Sequence, residues 1–333
     1  MTSTADCLIF PDGNKMPIVG LGTWQASDAE VDAAISAALE AGYRHIDTAY
    51  VYMNEAAIGR ALKKWIDAGK IKREDLFIVT KLPNFGNRPK SVEKYIKKSL
   101  EALQTSYLDL YLVHHPVGLL EKGDEMLPRD DAGNLLLDMD TDIVSVWKAM
   151  EAQVDAGRTR SIGLSNFNSR QIARIVEAAR IRPANLQVEL HVYFQQRELV
   201  AFCRALGITV CAYAPIGSPG LASFVKMIGD NDEKIPKLSP LSDPVIIRIA
   251  EKHGKTPAQV LLRHIIQRGI AVIPKSSNPA RIKQNFQVFD FNLSEEEVDQ
   301  LDALDKGRKG RLFGQGMLAG LDRHPEYPYS DPY

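Results

Sequence analysis

The 333 residues carry 41 Lys and Arg against 42 Asp and Glu, a formal charge of -1, with 45% hydrophobic and 25% charged residues. That is the balance of a globular chain with a sizeable core. The lack of a basic excess argues against a nucleic-acid binder, and no apolar run reaches the ~18 residues of a membrane span. Cys7, Cys203 and Cys211 fit reduced thiols, and Met1–Phe10 lacks a basic or apolar leader region, so a cytoplasmic protein is expected.

In chain order, Cys7–Phe10, the turn Pro11-Asp12-Gly13-Asn14 and Lys15–Pro17 read as a hairpin over 7–17. Short β-branched or aromatic runs follow at Ile18–Thr23, Tyr43–Thr48, Leu76–Lys81, Leu108–His114, Ser161–Ser165, Leu186–Leu190, Ile208–Tyr213 and Ile270–Pro274. Amphipathic patterns alternate with them: Asp28–Ala41, Glu55–Ala68, Lys90–Leu103, Asp142–Ala156, Arg170–Ala179, Arg197–Ala205, Pro244–His253 and Pro257–Arg268. Eight strand–helix units imply parallel strands with helical crossovers, and in one chain they favour a single closed (β/α)8 TIM barrel. A length that would allow two domains at ~100–200 residues each is then one barrel domain over 1–333, since barrels run to ~250 residues or more. The hairpin would cap the bottom. Excursions at 116–141, 217–242 and 305–333 would lie at the carboxyl face of the strands and shape substrate specificity.

Catalytic groups of a barrel lie at or just beyond the carboxyl ends of its strands. Those ends hold Thr23 and Trp24; Asp47, Tyr50 and Tyr52; Lys81; His114 and His115; Ser165 and Asn166; Gln187 and Glu189; Tyr213; and Lys275, Ser276 and Ser277. A phenol titrates near ~10, too weak an acid for easy work at neutral pH, and a neighbouring ammonium such as Lys81 would lower that value. Asp47 would hold the lysine charged, and a histidine could orient a substrate oxygen. Such a set suits protonation of a carbonyl oxygen as hydride arrives at its carbon. Taken singly, Tyr52 also reads as a core residue, Asp47 with Lys81 as a structural ion pair, and His114 as a buried histidine. No metal site is expected, because the adjacent His114 and His115 point to opposite faces of a strand.

On the stretches Gly20-Leu21-Gly22-Thr23-Trp24, Gly42-Tyr43-Arg44-His45-Ile46-Asp47-Thr48-Ala49, Leu108–His114, Ile162-Gly163-Leu164-Ser165-Asn166-Phe167 and Ile273-Pro274-Lys275-Ser276, the chain resembles the aldo-keto reductases from about Ile9 to Tyr329. The resemblance implies a catalytic tetrad: Tyr52 as proton donor, Lys81 as its pKa partner, Asp47 as the lysine's anchor, and His114 orienting the carbonyl. It also implies a nicotinamide cofactor held without a Rossmann fold, since Gly20-Leu21-Gly22 lacks the third glycine and runs into Thr23-Trp24. Ser165, Asn166 and Gln187 match the family's carboxamide contacts and Tyr213 its stacking ring. Lys275, Ser276 and Arg281, at the start of a helix near Pro279, suit a 2′-phosphate and hence NADPH. Asn285 matches the adenine contact, and Gln284 replaces a glutamate common there. Thr23 sits at the same rim. Ala214 replaces the usual serine, leaving Pro215, Ser218 and backbone N–H groups on the pyrophosphate side.

Trp24 stands where the family places a pocket-wall indole. Pro83 and His115 stand where relatives carry tryptophan, which would widen the pocket toward a steroid-like ketone or long-chain aldehyde. Substrate contacts are expected from Trp24, Tyr52, His114, His115, Phe224 and Leu312, with Met227, Ile228, Phe313, Met317 and Leu318 as further apolar candidates. The expected reaction is NADPH-dependent reduction of aldehydes or ketones. The alternatives are a hydroxysteroid reductase or dehydrogenase, and a nicotinamide-binding regulatory subunit without significant turnover. The expected partner is a small-molecule carbonyl compound, with no nucleic acid or membrane, and the chain is expected to be a monomer.

Overall fold

The structure, a computed structural model, describes residues 7–123, 125–227, 237–314, 320–331 and 333, without the side chains of Phe224 and Met227. The amino-terminal hairpin pairs β1 (Cys7–Ile9) with β2 (Lys15–Pro17), antiparallel. Eight strands follow: β3 (Gly20–Gly22), β4 (His45–Asp47), β5 (Phe77–Leu82), β6 (Leu108–Val113), β7 (Thr159–Ser165), β8 (Asn185–Glu189), β9 (Thr209–Tyr213) and β10 (Ala271–Val272). They pair in parallel in sequence order. Parallel bridges Val19–Val272 and Gly22–Lys275 join the last strand to the first, closing the α/β barrel.

Helices cover the outside: α1 (Asp28–Ala41), α2 (Glu55–Asp67), α3 (Pro89–Ala102), α4 (Ile143–Asp155), α5 (Ser169–Ala178), α6 (Arg197–Ala205), α7 (Leu221–Met227), α8 (Pro244–His253), α9 (Pro257–Gln267), α10 (Pro279–Phe286) and α11 (Glu295–Asp302). Local chemistry sets their ends. Ser27 and Glu30 form a capping box at the start of α1, and Gly42 ends it at φ 107°, in the left-handed region. Gly22 lets β3 approach β10, since a Cβ there would lie 2.6 Å from the Ile273 carbonyl oxygen.

Several strands are shorter than their apolar runs. Tyr43–Thr48 contracts to His45–Asp47, the three residues in register with both β3 and β5, and Ile270–Pro274 to Ala271–Val272, the two in register with β9, as the strands of the barrel are staggered. α7, inside the second excursion, and α11 are additions to the predicted helices. The signal for α11 was the capping box of Ser294 and Glu297.

The hairpin closes the amino-terminal end. Phe10 packs edge-on to Phe77 at 5.9 Å, Ser161 at the start of β7 donates to Asp12, and Asn14 donates to Ser161. At the other end the tail folds back over the first excursion and α5. His324 Nε2 donates to the Asp138 carbonyl at 2.8 Å, and Asn168, the cap of α5, donates to the Pro328 carbonyl at 3.1 Å. No helix among the described residues is long and apolar enough to cross a membrane.

Candidate active site

The carboxyl ends of the strands open into a cavity of about 1160 Å³. Its floor is built by β4, β5 and β6. Asp47 ends β4 and Lys81 lies next to last in β5, in neighbouring ladders. Lys81 Nζ donates to Asp47 Oδ1 at 2.6 Å and to the Thr48 carbonyl at 2.8 Å, with both side chains almost wholly buried. Asp47 Oδ2 accepts the Gln187 amide at 2.6 Å, so both carboxylate oxygens are used. Burial, the largest single influence, would by itself lower the Lys81 pKa, but Asp47 and Tyr52 together, by charge and hydrogen bonding, hold the ammonium above its usual range.

Tyr52 follows β4 in a short 3-10 turn, Tyr50–Tyr52. Its ring lies 5.1 Å from Lys81 Nζ and meets the His114 ring edge-on at 5.7 Å. The expectation of a lowered phenol pKa is not met. Burial pushes it up, Lys81 opposes this, and the phenol stays above its ordinary value. His114 moves the other way: burial, with Lys81 and His115 adding positive potential, holds it well below the usual histidine range and hence neutral. Its Nδ1 is buried without a partner, leaving Nε2 as the nitrogen that can meet a ligand. The structure therefore brings Asp47, Tyr52, Lys81 and His114 together, with a protonated phenol and a neutral imidazole beside a buried ammonium.

From this floor the cavity runs across β7, β8 and β9. Thr23, Ser165, Asn166, Gln187 and Tyr213 all line it. Asn166 has every amide group engaged: Oδ1 accepts from the Tyr213 and Tyr329 hydroxyls, and Nδ2 donates to the His114 carbonyl and Ser165 Oγ. Pro215 and Ser218 line the next stretch, and Lys275, Ser276, Arg281, Gln284 and Asn285 the far edge. There Lys275 Nζ donates to Ser277 Oγ, and the Asn278 side chain caps α10 through the Arg281 N–H. Four cavity residues other than glycine, Gln25, Asn166, Ala214 and Ser218, have positive φ of 43–64°. Strained backbone of this kind gathers at ligand sites.

Of the expected substrate contacts, Trp24, Tyr52, His114 and His115 line the cavity. His115 Nδ1 accepts the Val117 N–H, its ring packs edge-on to Tyr329, and burial with His324 and Arg311 nearby holds its pKa down to about 3. Leu312 does not line the cavity. It is buried with Leu221 and Val225, and Phe313 faces the cavity instead. The Phe224 and Met227 side chains, and Ile228, Met317 and Leu318, lie outside the described residues. Sequence reasoning missed Gln25, whose buried Nε2 has no partner, and Met126, Leu127, Tyr327 and Tyr329 from the excursions. The paired aromatics of the tail were the one signal for the last two. No cluster of His, Cys, Asp or Glu among the described residues could hold a metal ion.

The sequence model of the aldo/keto reductase family matches residues 18–306. The chain is 47% identical over 334 residues to aldo-keto reductase family 1 member A1 of Cricetulus griseus, covering 99% of this chain and 100% of that protein. Against aldo-keto reductase family 1 member A1 of Homo sapiens the identity is 46%, covering 99% of each. Among solved structures, the aldose reductase from Schistosoma japonicum superposes with a TM-score of 0.87 at 44% identity, over 98% of this chain and 99% of that one.

Proposed function

Since the chain belongs to the aldo/keto reductase family, we propose that it reduces a carbonyl compound to its alcohol with NADPH, and that Tyr52 gives the proton. The observation that carries this reading is the buried Asp47–Lys81 pair set beneath Tyr52 and His114 on the cavity floor. NADPH, when bound, supplies the hydride that the carbonyl carbon receives.

The residues present fit that cofactor. The cavity exceeds the ~300–1,000 Å³ of ordinary small-molecule sites. Lys275 and Arg281 lie at its far edge, and neither is in an ion pair among the described residues. They would hold the 2′-phosphate together with Ser276 and the first turn of α10. Gln284 and Asn285 would meet the adenine, Pro215 and Ser218 the pyrophosphate. Thr23, Ser165, Asn166, Gln187 and Tyr213 would surround the nicotinamide.

At the floor, the carbonyl oxygen accepts a hydrogen bond from neutral His114 and lies within reach of the Tyr52 hydroxyl. Because burial keeps the phenol protonated in the resting state, its proton is present when the oxygen gains negative charge. The proton passes to that oxygen, and the phenolate left behind faces the Lys81 ammonium, which Asp47 keeps in place. Trp24, His115 and residues of the three excursions, among them Met126, Leu127 and Phe313, wall the substrate end. We read the whole chain as one catalytic unit. The test is consumption of NADPH by the purified protein with a panel of aliphatic aldehydes, aromatic aldehydes, sugars and 3-ketosteroids. Turnover above background with at least one is expected; none with any would favour the regulatory-subunit reading.

A further inference from the structure

Glu189 ends β8, is 1% exposed, and has no part in the proton transfer. Its Oε1 accepts the Leu312 N–H at 2.6 Å and lies 3.0 Å from His191 Nε2; its Oε2 accepts the Phe313 N–H at 2.9 Å. An ionised carboxylate can only accept, so the histidine nitrogen is the donor. Three donors thus converge on two buried oxygens. A glutamine would present one oxygen and one amino group, and would set donor against donor on one side. Burying a carboxylate is costly unless hydrogen bonds replace its water, and these three do so.

The two amides belong to an irregular arm of the tail that has no ladder of its own to satisfy them. Other contacts hold the same arm. The Arg311 guanidinium lies 4.4 Å from the Phe194 ring and 4.0 Å from the Tyr329 ring. Gly310 sits against the Tyr193 carbonyl, where a Cβ would lie 1.9 Å from the oxygen. With successive amides tied to one carboxylate, the arm cannot rotate. Leu312 is sent into the cluster with Leu221 and Val225, and Phe313 to the cavity. There the Phe313 ring packs edge-on to Trp24 at 5.5 Å and to Tyr213 at 5.3 Å.

The geometry points to Glu189 as a positioning residue that tethers the tail arm and thereby sets Phe313 as a specificity wall between the substrate end and the cofactor end of the cavity. The inference rests on the carbonyl-reductase reading for its kinetic consequences, but the tether itself does not depend on it.

The experiment compares the native protein with Glu189→Gln, Phe313→Ala and the double variant. The substrates are propanal and a bulky aromatic ketone. Glu189→Gln should raise KM for the bulky ketone about tenfold, equivalent to ~1.4 kcal/mol of lost wall contact, while kcat with propanal falls less than about threefold. The double variant should be no worse than the worse single, because both act through one ring. Trypsin should cut after Arg311 faster in Glu189→Gln than in the native protein. Native-rate cleavage overturns the tether whatever the turnover. Additive losses, or equal kcat losses on both substrates, overturn the specificity role. Absence of carbonyl reduction in the native protein with faster cleavage in Glu189→Gln would sink the functional reading and leave the tether standing. Should Glu189→Gln not fold, Glu189→Asp, one methylene short, is expected to show the same KM increase and cleavage in weaker form, and native behaviour there overturns the proposal.

Discussion

Replacing Asp47 with asparagine changes one atom type and removes a charge from the most buried ion pair of the site. Lys81 Nζ would keep only the Thr48 carbonyl and one amide oxygen as acceptors. The asparagine cannot satisfy both of its neighbours. With its oxygen toward Lys81, its amino group meets the Gln187 amino group now bonded to Oδ2 at 2.6 Å, donor against donor. Removing one partner of a buried pair costs about 3–5 kcal/mol. Lys81 avoids part of that cost by losing its proton, because the Asp47 charge is the largest of the influences that hold its pKa up against burial. Tyr52 then loses the ammonium that stabilises its phenolate, and kcat should fall by about 10²–10⁴. Urea unfolding followed by circular dichroism, with NADPH consumption on the same preparation, reads both effects. A double variant, Asp47→Leu with Lys81→Met, separates them. It should regain stability to within about 1–2 kcal/mol of the native protein, since an apolar pair avoids desolvation, yet stay inactive. Native stability and turnover in Asp47→Asn, or an active double variant, would show that the Asp47–Lys81 pair supports neither the fold nor the Tyr52 phenolate.

Lys275→Ala with Arg281→Ala should weaken NADPH by at least about tenfold more than NADH, as measured by quenching of protein fluorescence, because the two cations lie where a 2′-phosphate would be held. Equal losses would remove that assignment. His115 has its pKa lowered by burial, His324 and Arg311 to about 3 from an ordinary 6.5. Between those values the unfolded chain binds the extra proton, so its contribution to stability is present above the ordinary pKa and is lost as pH falls. The loss from pH 7 to pH 5 should be about 2 kcal/mol. His115→Asn should flatten the pH dependence of the unfolding midpoint by that amount, and an unchanged slope would show that His115 is not held neutral.

The barrel was legible because most buried parallel strands read as apolar runs rich in β-branched residues and the crossovers as amphipathic helices, several marked by a cap or a terminal glycine, as at Ser27 and Gly42. The rule that chemistry sits at strand carboxyl ends gathered Asp47, Lys81 and His114, since chain order and spatial order coincide around this barrel. It failed where position depends on contacts between segments far apart in sequence. The arm bearing Leu312 and Phe313 is oriented by Glu189, 123 residues earlier, so nothing local says which of the two faces the cavity. Gln25 lies at a left-handed backbone position that no residue type announces. The sign of the Tyr52 shift is hidden from the sequence for a related reason. The sequence shows the neighbouring charge, whereas burial, the larger effect, is a property of the packed site.

If Tyr52 is the proton donor, Tyr52→Phe should separate turnover from NADPH affinity when both are measured on the same protein. The ring packing on His114 and Lys81 survives the change and only the hydroxyl is lost. Reduction of a good aldehyde should fall by about 10²–10⁴ while NADPH binds with its native affinity. Turnover within about threefold of the native rate would mean that another group gives the proton.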